Sequence, residues 1–244
     1  MFSFFTKKNR TFTDFSTLHT DLHSHLIPGI DDGAKTLEDS LAMITQLANM
    51  GYQRIITTPH IMGEYYPNNP EIIRSGLEKV KKVMVERNIN LDIQAAAEYY
   101  LDDYFEKLLA EDTELLTFSD QRILVEFSML SDPANGYDLL FQLTTRGYHP
   151  ILAHPERYLY FGKRMEKFEQ IKNLGVEFQT NLLSLAGYYG REQKKLGIKL
   201  LRNGMIDYLG TDLHRESQLK SIRSISDREV NKLLGTIRFK NADL

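Results

Sequence analysis

Asp21-Leu22-His23-Ser24-His25 is the stretch from which the fold can be read. Two imidazoles at i and i+2 on an extended segment project to one side, because strand side chains alternate faces. One divalent ion could therefore take both. A lone His-x-His is common on ordinary strands. It gains weight where further ligand-type residues recur at the ends of neighbouring strands, and this chain supplies them at regular intervals.

Leu37, Leu41, Ile44 and Leu47 fall at helical spacing between Thr36, a candidate N-cap, and Gly51, a candidate C′ residue. Residues 54–58 read as a buried strand ending at Pro59-His60. A helix is predicted over 70–87, capped by Asn69, with Ile73, Leu77, Val80 and Met84 as its stripe. Residues 91–97 form a third strand delivering Glu98, and a short helix follows over 104–109. The strand 123–125 delivers Glu126, and Asp132-Pro133 is expected to open the next helix. Strand 149–153 delivers His154, 176–180 is the sixth strand, and 206–210 delivers Asp212 and His214. Helices carry Met165, Phe168, Ile171 and Leu174 before Gly175, and close at Gly204. Ser226 with Glu229 resembles a capping box for a last helix with Val230, Leu233 and Ile237.

Gly147, Gly175 and Gly204 stand 28 and 29 positions apart, each directly before a predicted strand. About seven alternations of strand and helix predict repeated βα units and a parallel sheet in one α/β domain. Whether such a sheet stays open or closes as a barrel, functional residues gather at the C-terminal strand ends.

Composition narrows the chemistry. The 244 residues, 42% hydrophobic, suffice for one sizeable core. A net charge of -3 without a basic block gives no footprint for nucleic acid. Cysteine is absent, which excludes disulfides, thiolate zinc sites and cysteine nucleophiles. Apolar runs fall far short of the roughly 20 residues of a bilayer span, so no integral membrane segment is expected and a cytoplasmic location is read. The start, Met1-Phe2-Ser3-Phe4-Phe5-Thr6-Lys7-Lys8, is aromatic and then basic, the reverse of a secretory signal. Residues 1–17 are read as an N-terminal arm, with a membrane-surface or partner contact as the alternative, and 18–244 as the folded domain.

The strand ends deliver His23, His25, His60, Glu98, Glu126, His154, Asp212 and His214, and the Asp31-Asp32-Gly33 turn adds a carboxylate, taken as Asp32. His19 and His149 are read as ordinary hydrogen-bonding or surface residues. Five histidines and four carboxylates exceed the four to six places around one ion and would serve two or three. Three dications against four carboxylates leave roughly +2, which suits a phosphate monoester dianion. Such a site can also hold hydroxide near neutral pH. Arg157, three positions after His154, could grip phosphate oxygens in a bidentate fashion, or form a salt bridge to Glu156 or a neighbouring loop instead. Eight of the 13 tyrosines (Tyr65, Tyr66, Tyr99, Tyr100, Tyr158, Tyr160, Tyr188 and Tyr189) follow strand ends and could wall an aromatic or sugar ring.

The motifs Leu22-His23-Ser24-His25, Asp31-Asp32-Gly33, Thr58-Pro59-His60, the Glu98 and Glu126 strand ends, His154-Pro155-Glu156-Arg157 and Gly210-Thr211-Asp212-Leu213-His214 occur in that order, from about Leu18 onward. Together they resemble the PHP family, named for its polymerase and histidinol phosphatase members. Within it they most resemble the bacterial protein-tyrosine phosphatases of capsule and exopolysaccharide loci. The resemblance implies a distorted (β/α)7 TIM-like barrel with three divalent metal ions, manganese foremost, with iron, zinc or magnesium as alternatives. By analogy His23, His25 and Asp212 would hold the first ion, with Glu98 bridging to a second held by Glu126 and His154. Asp32, His60 and His214 would hold the third. Arg157 and His214 are assigned to catalysis, and Arg157, Arg215 and Tyr158 to substrate. Arg215 lies near where relatives carry a second phosphate-binding arginine. One departure is the 18 or so residues before the first strand, where many relatives begin almost at it.

The implied reaction is hydrolysis of phosphotyrosine by a metal-held hydroxide without a covalent intermediate. The implied partner is the phosphorylated tail of a bacterial tyrosine kinase that controls polysaccharide synthesis; a homo-oligomer is left open. The rival readings are histidinol phosphatase or another small-molecule phosphoesterase on the same scaffold, and a non-catalytic phosphotyrosine-binding regulator.

Overall fold

In the computed structural model, residues 15–244 are described. Most of the expected arm, 1–14, lies outside them. Its last part belongs to the folded body: Phe15 is buried, its N–H donates to Met50 O, and its ring stacks on Tyr52 at 5.6 Å.

Among the described residues, nine short strands alternate with helices. They are β1 (Thr20–Asp21), β2 (Arg54–Thr57), β3 (His60–Ile61), β4 (Asp92–Ala95), β5 (Glu98–Tyr100), β6 (Arg122–Glu126), β7 (His149–Ala153), β8 (Glu177–Asn181) and β9 (Tyr208–Gly210). Every pairing between them is parallel, in a sheet ordered β1-β2-β4 and another ordered β3-β5-β6-β7-β8-β9. The helices are α1 (Leu37–Asn49), α2 (Pro70–Glu86), α3 (Asp103–Ala110), α4 (Gly136–Thr145), α5 (Met165–Asn173), α6 (Leu182–Ala186), α7 (Arg191–Arg202), α8 (Glu216–Arg223) and α9 (Arg228–Leu234). A parallel βα rhythm needs crossover helices to cover the sheet faces, and most strands accordingly bury both faces, as Ile55 and Ile56 do, with β4 the exception.

Two expected strands are each broken in two. The segment read as 54–58 yields β2 and then β3, and that read as 91–97 with Glu98 yields β4 and then β5. Pro59 has no N–H for the ladder, so the pairing steps over it: Ala96 N–H donates to Thr57 O and Glu98 N–H to Pro59 O. The step moves the chain from the smaller sheet to the larger and turns His60 and Glu98 to one common end. The regular part of β1 also stops before His23. Beyond it a single bridge pairs Ser24 with Leu213, with Asp212 N–H on His23 O at 2.7 Å and His25 N–H on Leu213 O at 2.9 Å.

Local signals explain most helix ends. Thr36 and Asp39 form a reciprocal capping box at the start of α1, and Asn69 caps α2 with Pro70 in its first turn. Two expectations are corrected. Asp132-Pro133 does not open α4, which starts at Gly136 with Pro133 packed on its first turn; a Cβ at 136 would lie 2.6 Å from Pro133 Cγ and 2.8 Å from Phe127. The last helix is capped by Asp227, not Ser226, because the Asp227 carboxylate accepts from the N–H of Glu229 and Val230. The short α6 and α8, directly after strands β8 and β9, are not foreseen by the periodicity.

The main core lies between helices and sheets. A second, smaller cluster joins Leu22, Ile56, Ala96, Leu124, Ile151, Ala153 and Tyr208, with Phe118 and Leu244. Most of these residues come from strands of both sheets or their immediate continuations, so the two sheets share an apolar interior.

Candidate metal centre

All nine residues predicted from strand ends and the acidic turn converge at one end of the two sheets. Four overlapping groups have ligand atoms within 4.8 Å of one another: His25, Asp32, His60 and His214; His23, His154 and Asp212; His23, His25 and Glu98; and His60, Glu98 and Glu126. Glu98 is the hub. Its Oε2 lies 3.1 Å from His23 Nε2, 3.4 Å from His25 Nε2 and 3.2 Å from His60 Nδ1, while Oε1 lies 3.0 Å from His154 Nε2. Asp212 Oδ1 is 3.4 Å from His23 Nε2 and 3.5 Å from His25 Nε2. Asp32 Oδ1 sits 3.6 Å from His60 and 3.4 Å from His214. His19 and His149 stay outside the cluster, as expected: His19 meets its neighbour Thr20, and His149 is exposed at the start of β7.

Of the imidazole–carboxylate contacts within the cluster, His154 Nε2 with Glu98 Oε1 is directed as a hydrogen bond, and most of the others are not. His23 Nε2, His25 Nε2, His60 Nδ1, Glu98 Oε2 and Glu126 Oε1 are all buried and make none. Buried polar atoms are ordinarily satisfied, and several lone pairs left facing shared points fit divalent cations. The electrostatics agree. Burial pulls the His23 imidazole down, yet the Glu98 and Asp212 carboxylates outweigh it and raise its pKa to about 9. Burial pushes Glu98 up, but His23 and His60 beside it hold its carboxyl well below the usual range. Asp212 is likewise held low against its burial by His23 and His214. So much opposed charge in a dry place needs compensation, which protons or metal ions can supply.

The backbone is also bent to the site. His154 and Asp212 adopt left-handed conformations, φ 36° and 50°. Non-glycine residues there cost on the order of 1–3 kcal/mol each and persist where surrounding structure imposes them. Here Arg157 N–H donates to His154 O, and Asp212 N–H to His23 O.

A surrounding layer fixes the imidazoles, and sequence reading did not find most of it. Asp31, the aspartate not chosen from the Asp-Asp-Gly turn, lies 2.8 Å from His25 Nδ1, so each aspartate of the pair has its own task. Gln179 Oε1 is 2.7 Å from His23 Nδ1, which sets that ring's tautomer, and donates its own amide to Asn181. Asn181 Nδ2 and the Tyr189 hydroxyl both donate to Asp212 Oδ2, at 2.6 and 3.1 Å. Gln218 Oε1 accepts the backbone N–H of His214 and Arg215.

Above the cluster opens a cavity of about 460 Å³ walled by Tyr65, Tyr66, Tyr188 and Tyr189, with Arg157 and Arg215 reaching into it. Arg157 does not pair with Glu156, whose buried carboxylate accepts from Asn181 N–H instead. It lies 3.4 Å from Asp212 Oδ2, with its guanidinium 4.4 Å from the Tyr189 ring centre. Tyr66 stacks on His60. Tyr158, assigned above to substrate, is corrected: it is fully buried, its hydroxyl donates to Ala153 O and accepts from Phe127 N–H, and its ring packs edge-on against His154. Tyr99 is buried as well, its hydroxyl accepting from Leu116 N–H.

A parallel α/β protein with a buried imidazole–carboxylate cluster at the C-terminal strand ends is the class these observations define. A family described as "Capsular polysaccharide synthesis, CpsB/CapC" matches residues 19–242, and the chain belongs to it. The chain is 28% identical to the tyrosine-protein phosphatase YwqE of Bacillus subtilis over 229 residues, 92% of this chain and 90% of that one. It is 29% identical to the tyrosine-protein phosphatase CpsB of Streptococcus agalactiae over 200 residues, 80% of this chain and 82% of that one. Among solved structures, it resembles one from a study of YwqE from Bacillus subtilis and CpsB from Streptococcus pneumoniae, described as unique metal-dependent tyrosine phosphatases. The TM-score is 0.78 at 28% identity, covering 91% of this chain and 89% of that one. The resemblance drawn from the motifs is thus borne out.

Proposed function

We propose that the chain is a metal-dependent protein-tyrosine phosphatase whose substrate is the phosphorylated tail of a bacterial tyrosine kinase acting in capsule or exopolysaccharide synthesis. The observation that carries this reading is the set of buried, unbonded ligand atoms on the floor of a cavity with arginine and tyrosine walls. In fold terms, we read the two sheets as the halves of a distorted (β/α)7 barrel within one domain. The support is the Ser24–Leu213 bridge at one junction, the step over Pro59 at the other, and the apolar interior common to both.

Three divalent ions, manganese foremost, fit the donor set. His23, His25, Glu98 and Asp212 would hold one, Glu98, Glu126 and His154 a second, and Asp32, His60 and His214 the third. His60 also stands 3.2 Å from Glu126, which makes it a second imidazole within reach of the middle position. Bound there, the ions would supply Lewis-acid polarisation and a water acidified to a pKa of about 7. Asp31 raises the carboxylate count to five, so three dications leave roughly +1, and Arg157 restores roughly +2.

The chain's own residues do the rest. Arg157, a quarter exposed, has one edge on Asp212 and offers its remaining N–H groups to phosphate oxygens. Tyr189 beneath it fixes that orientation. Tyr66 and Tyr188 flank the space for the leaving aryl group. A phenol with a pKa near 10 departs without a strong general acid, and His214, close to Asp32, is assigned here as a ligand. No helix among the described residues is long and apolar enough to cross a membrane, and a cytoplasmic enzyme docking on a kinase tail is the reading adopted.

The test is phosphate release from a tyrosine-phosphorylated kinase-tail peptide, with histidinol phosphate as comparator, before and after manganese is added to metal-stripped protein. Manganese-dependent release from the peptide is the expected result. Preference for histidinol phosphate would move the enzyme into small-molecule metabolism, and tight peptide binding without release would favour a regulator.

A further inference from the structure

Beside the candidate active-site cavity lies a second cleft of about 620 Å³ between the loop after β3 and the start of α3. Met62 and Tyr65 line both, so the two spaces adjoin across the Tyr65 ring. That ring is 72% exposed, although exposing a large aromatic surface to water is unfavourable. It is held there by a tight turn in which Met62 and Tyr66 exchange both backbone hydrogen bonds, at 3.0 and 2.8 Å. Gly63 lets the turn sit against α3, since a Cβ there would lie 2.6 Å from Tyr104 Cβ. The walls combine aromatic surface from Tyr100 and Tyr104 with the carboxylates of Glu64, Asp102 and Asp103, and include no lysine or arginine. Asp102 caps α3 through Phe105 N–H, whereas Glu64 and Asp103 are exposed.

The lining thus changes across the Tyr65 ring: the first cavity carries two arginines above the imidazole–carboxylate cluster, whereas the adjoining cleft has carboxylates and no cationic side chain. Resting on the phosphatase reading above, we propose that this cleft is the subsite for the peptide segment flanking the phosphotyrosine. Tyr65 separates the phosphorylated ring from the next side chains, and Glu64 and Asp103 select basic or uncharged neighbours over acidic ones. A small phosphate ester fills only the first cavity, so the cleft is what makes a peptide the better substrate. An extended peptide advances about 3.4 Å per residue, which brings the neighbours one or two positions away over Tyr65.

The test compares two phosphotyrosyl peptides that differ only in carrying lysine or glutamate beside the phosphotyrosine, with p-nitrophenyl phosphate as the small ester. The lysine peptide should have about fivefold higher kcat/KM at low salt, and the preference should fade as salt screens it. In the variant Glu64→Lys with Asp103→Asn the preference should vanish or invert, while p-nitrophenyl phosphate turnover stays as in the wild type. Equal rates for the two peptides, or a preference unchanged in the variant, would overturn the subsite. Were neither peptide nor small ester hydrolysed, the phosphatase reading itself would fall. The same peptides labelled for fluorescence anisotropy would then still decide the cleft: a charge preference in binding, lost in the variant, supports it, and equal affinities refute it.

Discussion

The two ends of the sheets both gather charge and treat it in opposite ways, the N-terminal end leaving it partly exposed and the C-terminal end burying most of it. At the N-terminal end, Arg122 Nε donates to the Tyr208 hydroxyl at 3.1 Å, and that hydroxyl donates to Glu177 at 2.9 Å. Asp207 takes Lys172 and Lys240 on its two oxygens together with Phe178 N–H. No atom of this network is left without a partner among the buried groups. At the C-terminal end, five imidazoles meet Glu98, Glu126, Asp212 and the aspartate turn, with several ligand atoms unbonded. A satisfied cluster adds stability; an unsatisfied one is held in place by the rest of the fold for something that is not protein. That contrast, more than the presence of histidine, separates the candidate site from ordinary structure.

The sharpest way to break the comparison is to change one residue at each end. Glu98→Gln removes the hub charge, and manganese-dependent turnover should fall at least about a hundredfold while the chain still folds. If turnover survives, Glu98 is structural and the two ends are alike. Asp207→Ala should do the converse, destabilising the fold by about 2–3 kcal/mol in urea unfolding, because Lys172 and an N–H lose their acceptor and Lys240 keeps only Glu177, with kcat per folded molecule unchanged. A pH series sharpens the same point. Burial pushes Asp207 up, but its bonds to Lys172, Lys240 and Phe178 N–H hold it below its ordinary 3.8. Its contribution is therefore full above that value and lost as pH falls through the lower folded-state value. The stability margin of wild type over Asp207→Asn, measured with chelator present, should be constant near neutrality and shrink below pH 3.8. The smallest effect is expected at Tyr189. Tyr189→Phe keeps the ring under Arg157 and loses the bond to Asp212, so kcat should drop about threefold to tenfold with little change in KM; Tyr189→Leu should raise KM as well.

The ligands were legible because each is delivered by a strand end or by the turn after the first strand, and the periodicity locates strand ends even where it misplaces strand limits. Their supporting layer was not. Gln179 meets His23 across 156 positions of sequence, and a glutamine in a buried strand carries no local mark of that task. Tyr158 misled for a related reason: its place after a strand end suggested a wall for the substrate ring, whereas the hydroxyl is spent on Ala153 O and Phe127 N–H. The break at Pro59 was foreseeable from its missing N–H, but its mirror between β4 and β5 follows only from pairing with the broken neighbour. Helix α6, five residues long, is too short for a periodic signal.

The central claim is that the unsatisfied cluster is a metal site. It is tested most directly by titrating metal-stripped protein with manganese, using calorimetry and elemental analysis, in wild type and in Glu98→Gln. About three ions per wild-type chain are predicted from the donor count, with at least one lost and the remainder weakened in the variant. An absence of binding, or identical stoichiometry and affinity in the two proteins, would contradict the account.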